Sequence, residues 1–221
     1  MSLNINDCWY KSACTIENCN EDCIRYLEMK YLMEHSGLSK KRQKPIRLND
    51  AYDHSAFKLL NEIRLDIVNF VENGESLYIY GENTGNGKTS WSIKLLLRYF
   101  DQIWAGNGFR QRGYFISVPA FLNQVKNFSD EKARQKLIKT LSTVDLVVWD
   151  DIASTKLSDY DIQQLLTIVD QRIADGLANI YNGNLTSHEA VANALGDRLA
   201  SRIWNTSTLV EFKGKDRREE W

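Results

Sequence analysis

The chain alternates between short unbroken apolar runs and longer segments in which apolar residues return every three or four positions. Five runs have the length and the β-branched or aromatic character of buried strands: Ser76–Tyr80, Gly113–Val118, Leu146–Trp149, Ala178–Tyr181 and Thr208–Phe212. Helical periodicity fills the gaps, over Thr89–Phe100, Pro119–Asn127, Asp130–Thr143, Ser158–Asp175 and Ser187–Ala194. Upstream, Phe57, Leu60, Ile63, Ile67, Val68 and Val71 repeat at the same spacing and stop at Asn73-Gly74, a good helix terminus. Strands that are apolar throughout and alternate with helices are covered on both faces, so the pattern predicts an α/β domain with a mostly parallel sheet. Ligands of such sheets sit at the C-terminal ends of the strands. Capping chemistry marks several boundaries. Ser158 precedes Asp159 and Asp161, Gly176 closes that helix, and Thr186-Ser187-His188-Glu189 reads as a capping box.

Before this alternation, Ile24–His35 reads as an amphipathic helix, with Ile24, Leu27, Tyr31 and His35 near one face and Glu28 and Lys30 away from it. The polar, basic stretch from Ser36 to Pro45 then has the composition of an exposed linker. Its basic run is either a solvated hinge or a contact for DNA or an acidic partner. The expected division is a small module over 1–36, a basic linker over 37–54 and a main domain over 55–221.

Composition narrows the picture. With 221 residues, 43% of them hydrophobic, the chain can build one ordinary domain and a small appendage. A formal net charge of −1 gives no global attraction to nucleic acid, so any DNA contact has to come from a local basic patch. No apolar run approaches the length of a membrane span and no basic-then-apolar leader opens the chain, which predicts a cytoplasmic protein without a membrane partner.

The candidate chemistry starts at Gly85-Asn86-Gly87-Lys88-Thr89, placed between the strand ending at Tyr80 and a helix. Glycines at these positions let backbone N–H groups close around β- and γ-phosphates, and the helix adds its positive N-terminal end. Lys88 neutralises phosphate charge, Thr89 offers a hydroxyl to Mg²⁺ with Ser90 as the weaker alternative, and Asn83 and Thr84 complete the loop. The strict template has glycine where this chain has Glu82, and Gly81 lies one residue too early. Downstream, Leu146–Trp149 ends in Asp150-Asp151. Asp150 is placed to hold Mg²⁺ through water, and Asp151 to orient and polarise the attacking water, a position usually held by glutamate. The shorter carboxylate predicts slow turnover.

Cys8, Cys14, Cys19 and Cys23 cluster near the N-terminus, separated by five, four and three residues. In a reducing compartment such clustering points to Zn²⁺ held by thiolates, with free thiols in a small helical segment and a disulfide or iron–sulfur arrangement as alternatives. His35 could replace one thiolate.

With the phosphate loop, the Asp150-Asp151 strand end, Asn182-Gly183-Asn184-Leu185 and Leu195–Arg202 in this order, the chain resembles AAA+ ATPases of the DnaC/DnaI/IstB group, bacterial and phage helicase loaders. The resemblance spans about Phe57 to Trp221, and the cysteine segment looks like the zinc-containing helicase-binding domain of DnaI-type loaders. It implies a five-stranded parallel sheet of order 5-1-4-3-2 without a separate lid. It also implies an ATPase stimulated by partner or DNA, and assembly into a ring or spiral. By the same resemblance Asn184 is the sensor I residue, with Asn182 as fallback. Arg202 is the arginine finger acting on a neighbouring subunit's nucleotide, with Arg198 as competitor, and Arg218 is the sensor II position. The implied function is ATP-dependent deposition of a replicative hexameric helicase on single-stranded DNA, in a bacterial, phage or prophage setting. An IstB-like accessory ATPase acting on duplex DNA in transposition, and a nucleotide-switch adaptor with negligible hydrolysis, are the alternatives. Arg110, Arg112, Lys126, Lys132, Arg134, Lys136 and Lys139 are candidate DNA contacts, and Phe121 and Phe128 candidate base-stacking rings, although Phe121, Leu122 and Val125 also fit a core.

Overall fold

A computed structural model describes residues 8–10, 14, 22–43, 53–103, 108–127, 130–154 and 157–216. Five strands, β1 (Ser76–Tyr80), β2 (Gly113–Ser117), β3 (Leu146–Asp150), β4 (Ala178–Gly183) and β5 (Ser207–Glu211), form one sheet in the order β2-β3-β4-β1-β5. Every pairing is parallel, and the order is the expected 5-1-4-3-2 read from the other edge. β3 and β4 are buried along their whole length, and β1 along all but Tyr80 at its end. That is why they read as unbroken apolar runs rather than as alternations.

Strand alternation sorts side chains into two cores, one on each face. Leu77, Ile79, Leu146, Val148 and Ile180 face α1 (Ile24–Glu34), α2 (His54–Leu65), α3 (Ile67–Glu72) and α4 (Lys88–Ile103). Tyr78, Val147, Trp149 and Tyr181 face α5 (Val118–Asn127), α6 (Glu131–Thr143), α7 (Asp159–Ala174) and α8 (His188–Trp204). Phe121, Leu122 and Val125 belong to this second core, so Phe121 is not an exposed base-stacking ring; Phe128 lies outside the described residues.

Several local expectations change on packing. The helix expected through Val71 is divided at Asp66 into α2 and α3. The last helix runs on to Trp204, and Gly196, with φ 76° and ψ 153°, splits it into two pieces. Ser158 does cap α7 in a reciprocal box with Asp161, but at α8 the cap is Ser187, bonded to the N–H of Ala190, so Thr186 and Glu189 do not form a box.

The face of α1 differs most from expectation. Tyr26, Met29, Leu32 and Met33 are buried, whereas Ile24 is 66% exposed and His35 stacks on Tyr31 at the surface. Apolar residues lie nearly all round this helix, and its packing against α4 chooses the methionine face, whose flexible thioethers fill an irregular groove. Met29, Leu32, Met33 and Leu38 share one hydrophobic cluster with Phe57, Leu96 and Phe115.

Candidate nucleotide-binding site

β1, β3 and β4 end side by side, and α4 starts at Lys88 directly after the glycine loop. A cavity of about 530 Å³ opens there, lined by residues 84–90, Asp150, Asp151 and Asn184, and also by Lys41 and Arg42. Asp150 lies at its floor, 2% exposed. Its Oδ1 accepts hydrogen bonds from Thr89 Oγ1 at 2.7 Å and from Asn182 Nδ2 at 2.9 Å. Burial, reinforced by the charge of Asp151, raises the Asp150 carboxyl above the ordinary carboxylate range, while the Thr89 and Asn182 hydrogen bonds and the nearby Arg42 act in the opposite direction.

Thr89 and Asp150 therefore present two hard oxygens touching each other beside the N-terminus of α4, a donor set that fits Mg²⁺ and not a soft metal. Lys88, 7% exposed, folds back across the loop and donates to Gly81 O at 2.9 Å, Asn83 O at 2.7 Å and Asn86 Oδ1 at 3.2 Å. The ammonium is thus already positioned inside the cradle, and a phosphate oxygen would exchange with these uncharged acceptors. Gly81, the displaced glycine of the template, thus supplies one of the carbonyls that anchor Lys88.

Asp151 follows in the left-handed region, φ 58°, as does Ala153 at φ 62°. Between them the N–H of Ile152 donates to Asn182 O at 2.8 Å, which fixes this tight turn against the end of β4. Two non-glycine residues in the left-handed region within three positions mark a turn held by its surroundings, here one that turns Asp151 out of the strand toward the cavity.

The two asparagines of β4 and its exit have different environments. Asn182 is 2% exposed and bridges α4 to β3, taking a hydrogen bond from Ser92 Oγ at 2.6 Å and giving one to Asp150. Asn184 lines the cavity, half-buried, without a hydrogen-bond partner among the described residues. The residues beyond β5 also reach the loop. Asn83 Nδ2 donates to Gly214 O at 3.0 Å and Thr84 Oγ1 to Asp216 Oδ2 at 3.3 Å, while Asp53 holds the N–H groups of Lys213 and Gly214. Arg218 lies outside the described residues.

Arg198 and Arg202 are exposed on the second piece of α8, away from this cavity, and Arg202 Nε is bonded to Asp170 at 2.6 Å. Among the candidate DNA cations, Arg110 and Arg112 pair with Asp145, Lys126 with Asp161 and Arg134 with Glu131. Lys132, Lys136 and Lys139 of α6 have no ion-pair partner among the described residues. The thiols of Cys8, Cys14 and Cys23 are free, Cys19 lies outside the described residues, and no group of three or more potential metal ligands occurs among the described residues. The expected zinc centre therefore finds no support there. No helix among them is long and apolar enough to cross a membrane.

Sequence reading missed the roles of Ser92, Lys41 and Arg42. Ser92 carries no signal of its own, whereas Lys41 and Arg42 stand in the basic run whose composition fits a hinge or a partner contact.

No protein-family model and no curated protein matches this sequence. Solved structures do. A DnaC helicase loader superposes with a TM-score of 0.65 at 21% identity, covering 79% of this chain and 100% of its own. DnaI superposes with a TM-score of 0.64 at 17% identity, covering 82% of this chain and 94% of its own. The replication initiator DnaA, bound to AMPPCP and single-stranded DNA, superposes with a TM-score of 0.56 at 18% identity over 84% of this chain and 50% of its own. Taken with the sheet order and the phosphate loop, these likenesses establish that the chain has the AAA+ fold of the DnaC- and DnaI-type proteins.

Proposed function

We propose that this chain is an ATP-dependent loader that binds a replicative hexameric helicase and helps deposit it on single-stranded DNA. The observation that carries this reading is the convergence of Lys88, Thr89 and Asp150 on one cavity, in a chain whose fold matches a DnaC helicase loader along that structure's whole length. Lys88 and the loop N–H groups bind the phosphates, and Thr89 and Asp150 would hold Mg²⁺, whose charge would stabilise phosphoryl transfer. Asp151 and Asn184, both facing the cavity, orient the attacking water. Nucleotide bound to the related fold of DnaA supports ATP as the ligand.

Arg202 serves as the finger for a neighbouring chain's nucleotide, so the working unit is a ring or spiral. To reach it, Arg202 leaves Asp170; Arg198, with no ion-pair partner among the described residues, is the competitor. Single-stranded DNA runs past α6, where Lys132, Lys136 and Lys139 offer uncommitted positive charge.

The test is co-purification of the full chain with a hexameric replicative helicase, with and without Mg-ATP and single-stranded DNA, beside Lys88→Ala. Nucleotide-dependent complex formation by the wild type and its loss in the variant are expected. Absence of Mg-nucleotide uptake by the folded wild type at millimolar ligand would overturn the proposal.

A further inference from the structure

Lys41 and Arg42 stand at the mouth of the nucleotide cavity although they precede the phosphate loop by more than forty positions. The backbone that carries them is held tightly. Ser36, fully buried, accepts a hydrogen bond from the N–H of Phe115 at 2.7 Å, so the chain after α1 lies along the outer edge of β2. Gly37 passes so close to this edge that a Cβ there would lie 2.3 Å from Phe115 O, and its φ of +73° is itself a glycine conformation. Gln43 Nε2 then donates to both Met33 O and Leu38 O, which closes residues 33–43 into a compact loop on the last turn of α1. Within it, the N–H groups of Arg42 and Gln43 both return to Ser39 O.

This loop aims Arg42 at the site. Its guanidinium lies 4.9 Å from the centre of the Phe115 ring, and Nη1 is 3.9 Å from Asp150 Oδ2. Thr89 and Asn182 hold the other oxygen, Oδ1. Arg42 is therefore the cation facing Asp150 from the cavity side, in the place where a metal-bound triphosphate brings both a competing cation and new anionic oxygens. Were Mg²⁺ held by Thr89 and Asp150, it would compete for this carboxylate, and the guanidinium, 47% exposed, would have phosphate oxygens as its alternative counter-charge.

We propose that Arg42, assisted by Lys41, binds the terminal phosphate of the nucleotide from within the same chain, and that residues 36–43 pass the presence of that phosphate to α1. The inference rests on the nucleotide reading given above and deepens it. Asp150 marks the metal and terminal-phosphate end of the cavity, so the contact distinguishes triphosphate from diphosphate. Because Ser36 and Gln43 both donate to Met33 O at the end of α1, and Leu38 is bonded to each of them, movement of Arg42 is coupled to that helix.

The test measures binding of fluorescent ATP and ADP analogues with Mg²⁺ to the full chain, its Arg42→Ala and Arg42→Lys variants, and Lys88→Ala as the control for the site itself. Hydrogen exchange of residues 33–43 and of the Phe115 amide is followed in parallel. Arg42→Ala is expected to lose about tenfold in triphosphate affinity with little change for diphosphate, and Arg42→Lys to recover part of the loss. In the wild type a non-hydrolysable triphosphate, unlike diphosphate, alters exchange at residues 36–43 and Phe115, and Arg42→Ala abolishes the difference. Wild-type uptake with an unchanged triphosphate-to-diphosphate ratio in Arg42→Ala overturns this inference and leaves the nucleotide site intact. No uptake by the wild type overturns both.

Discussion

Replacing each of the two asparagines at the end of β4 separates a supporting residue from one that faces the cavity. In Asn182→Ala, Asp150 loses a hydrogen bond of 2.9 Å and Ser92 Oγ loses its acceptor at 2.6 Å. A hydrogen bond to a carboxylate contributes about 2 kcal/mol and a neutral one about 1 kcal/mol, so the expected loss is about 3 kcal/mol. Ser92 keeps Lys88 O at 3.3 Å, which limits the cost at that end. For a domain of this size, 1 kcal/mol corresponds to about 2–4 °C, giving a fall in Tm of about 6–12 °C. Asn184→Ala removes a half-buried side chain with no hydrogen-bond partner among the described residues, and its stability should stay within about 0.5 kcal/mol of the wild type. Its defect should appear in nucleotide turnover instead. Thermal and urea unfolding without ligand, followed by turnover with Mg-ATP, measure both. If the two variants melt within about 2 °C of each other, the division between a buried bridge and a cavity residue is refuted.

Three further outcomes follow from the structure. Asp150 has a raised carboxyl in the folded chain, so its contribution to stability is fully present below the ordinary 3.8 and is lost as pH rises through the folded value; Asp150→Asn should flatten that dependence and melt higher at neutral pH without metal, yet gain nothing from Mg-nucleotide, in thermal scans across pH. Arg172, fully buried, donates to Asn179 Oδ1, Leu141 O, Val144 O and Ala178 O; Arg172→Met removes these bonds, leaving Asn179 Oδ1 its bond from Trp149 Nε1, and should cost about 3–5 kcal/mol, read by urea unfolding. Ser158→Ala removes one half of the reciprocal cap on α7 and should cost about 1 kcal/mol, seen as a Tm lower by about 2–4 °C.

The sheet was legible because its strands are buried on both faces, and their apolar runs survive any local ambiguity. Strand order was carried by the family resemblance and not by periodicity. That Lys88, Thr89 and Asp150 meet at one cavity was legible because a phosphate cradle needs particular residue types at fixed spacing. For Asn182 the signal lies in the strand alternation itself. Strand alternation places it with Ile180, on the α4 side of the sheet, whereas Asn184 lies past the end of β4. The burying face of α1 was not legible, since a helix apolar nearly all round is oriented only by what it packs against. Nor was the position of Arg42, which depends on where the edge of β2 lies in space.

The break in α8 has a mechanical meaning. At φ 76° and ψ 153° Gly196 occupies backbone space that side chains shun, although a methyl group there would meet only Ile162, at 4.0 Å. Geometry of the main chain, and not crowding, therefore reserves this position. The half that follows β4 and the half that bears Arg198 and Arg202 meet at this one residue, so the direction in which those arginines project is set by the angle at Gly196. A welded version, Gly196→Ala, would straighten or distort that joint while leaving the floor of the pocket untouched.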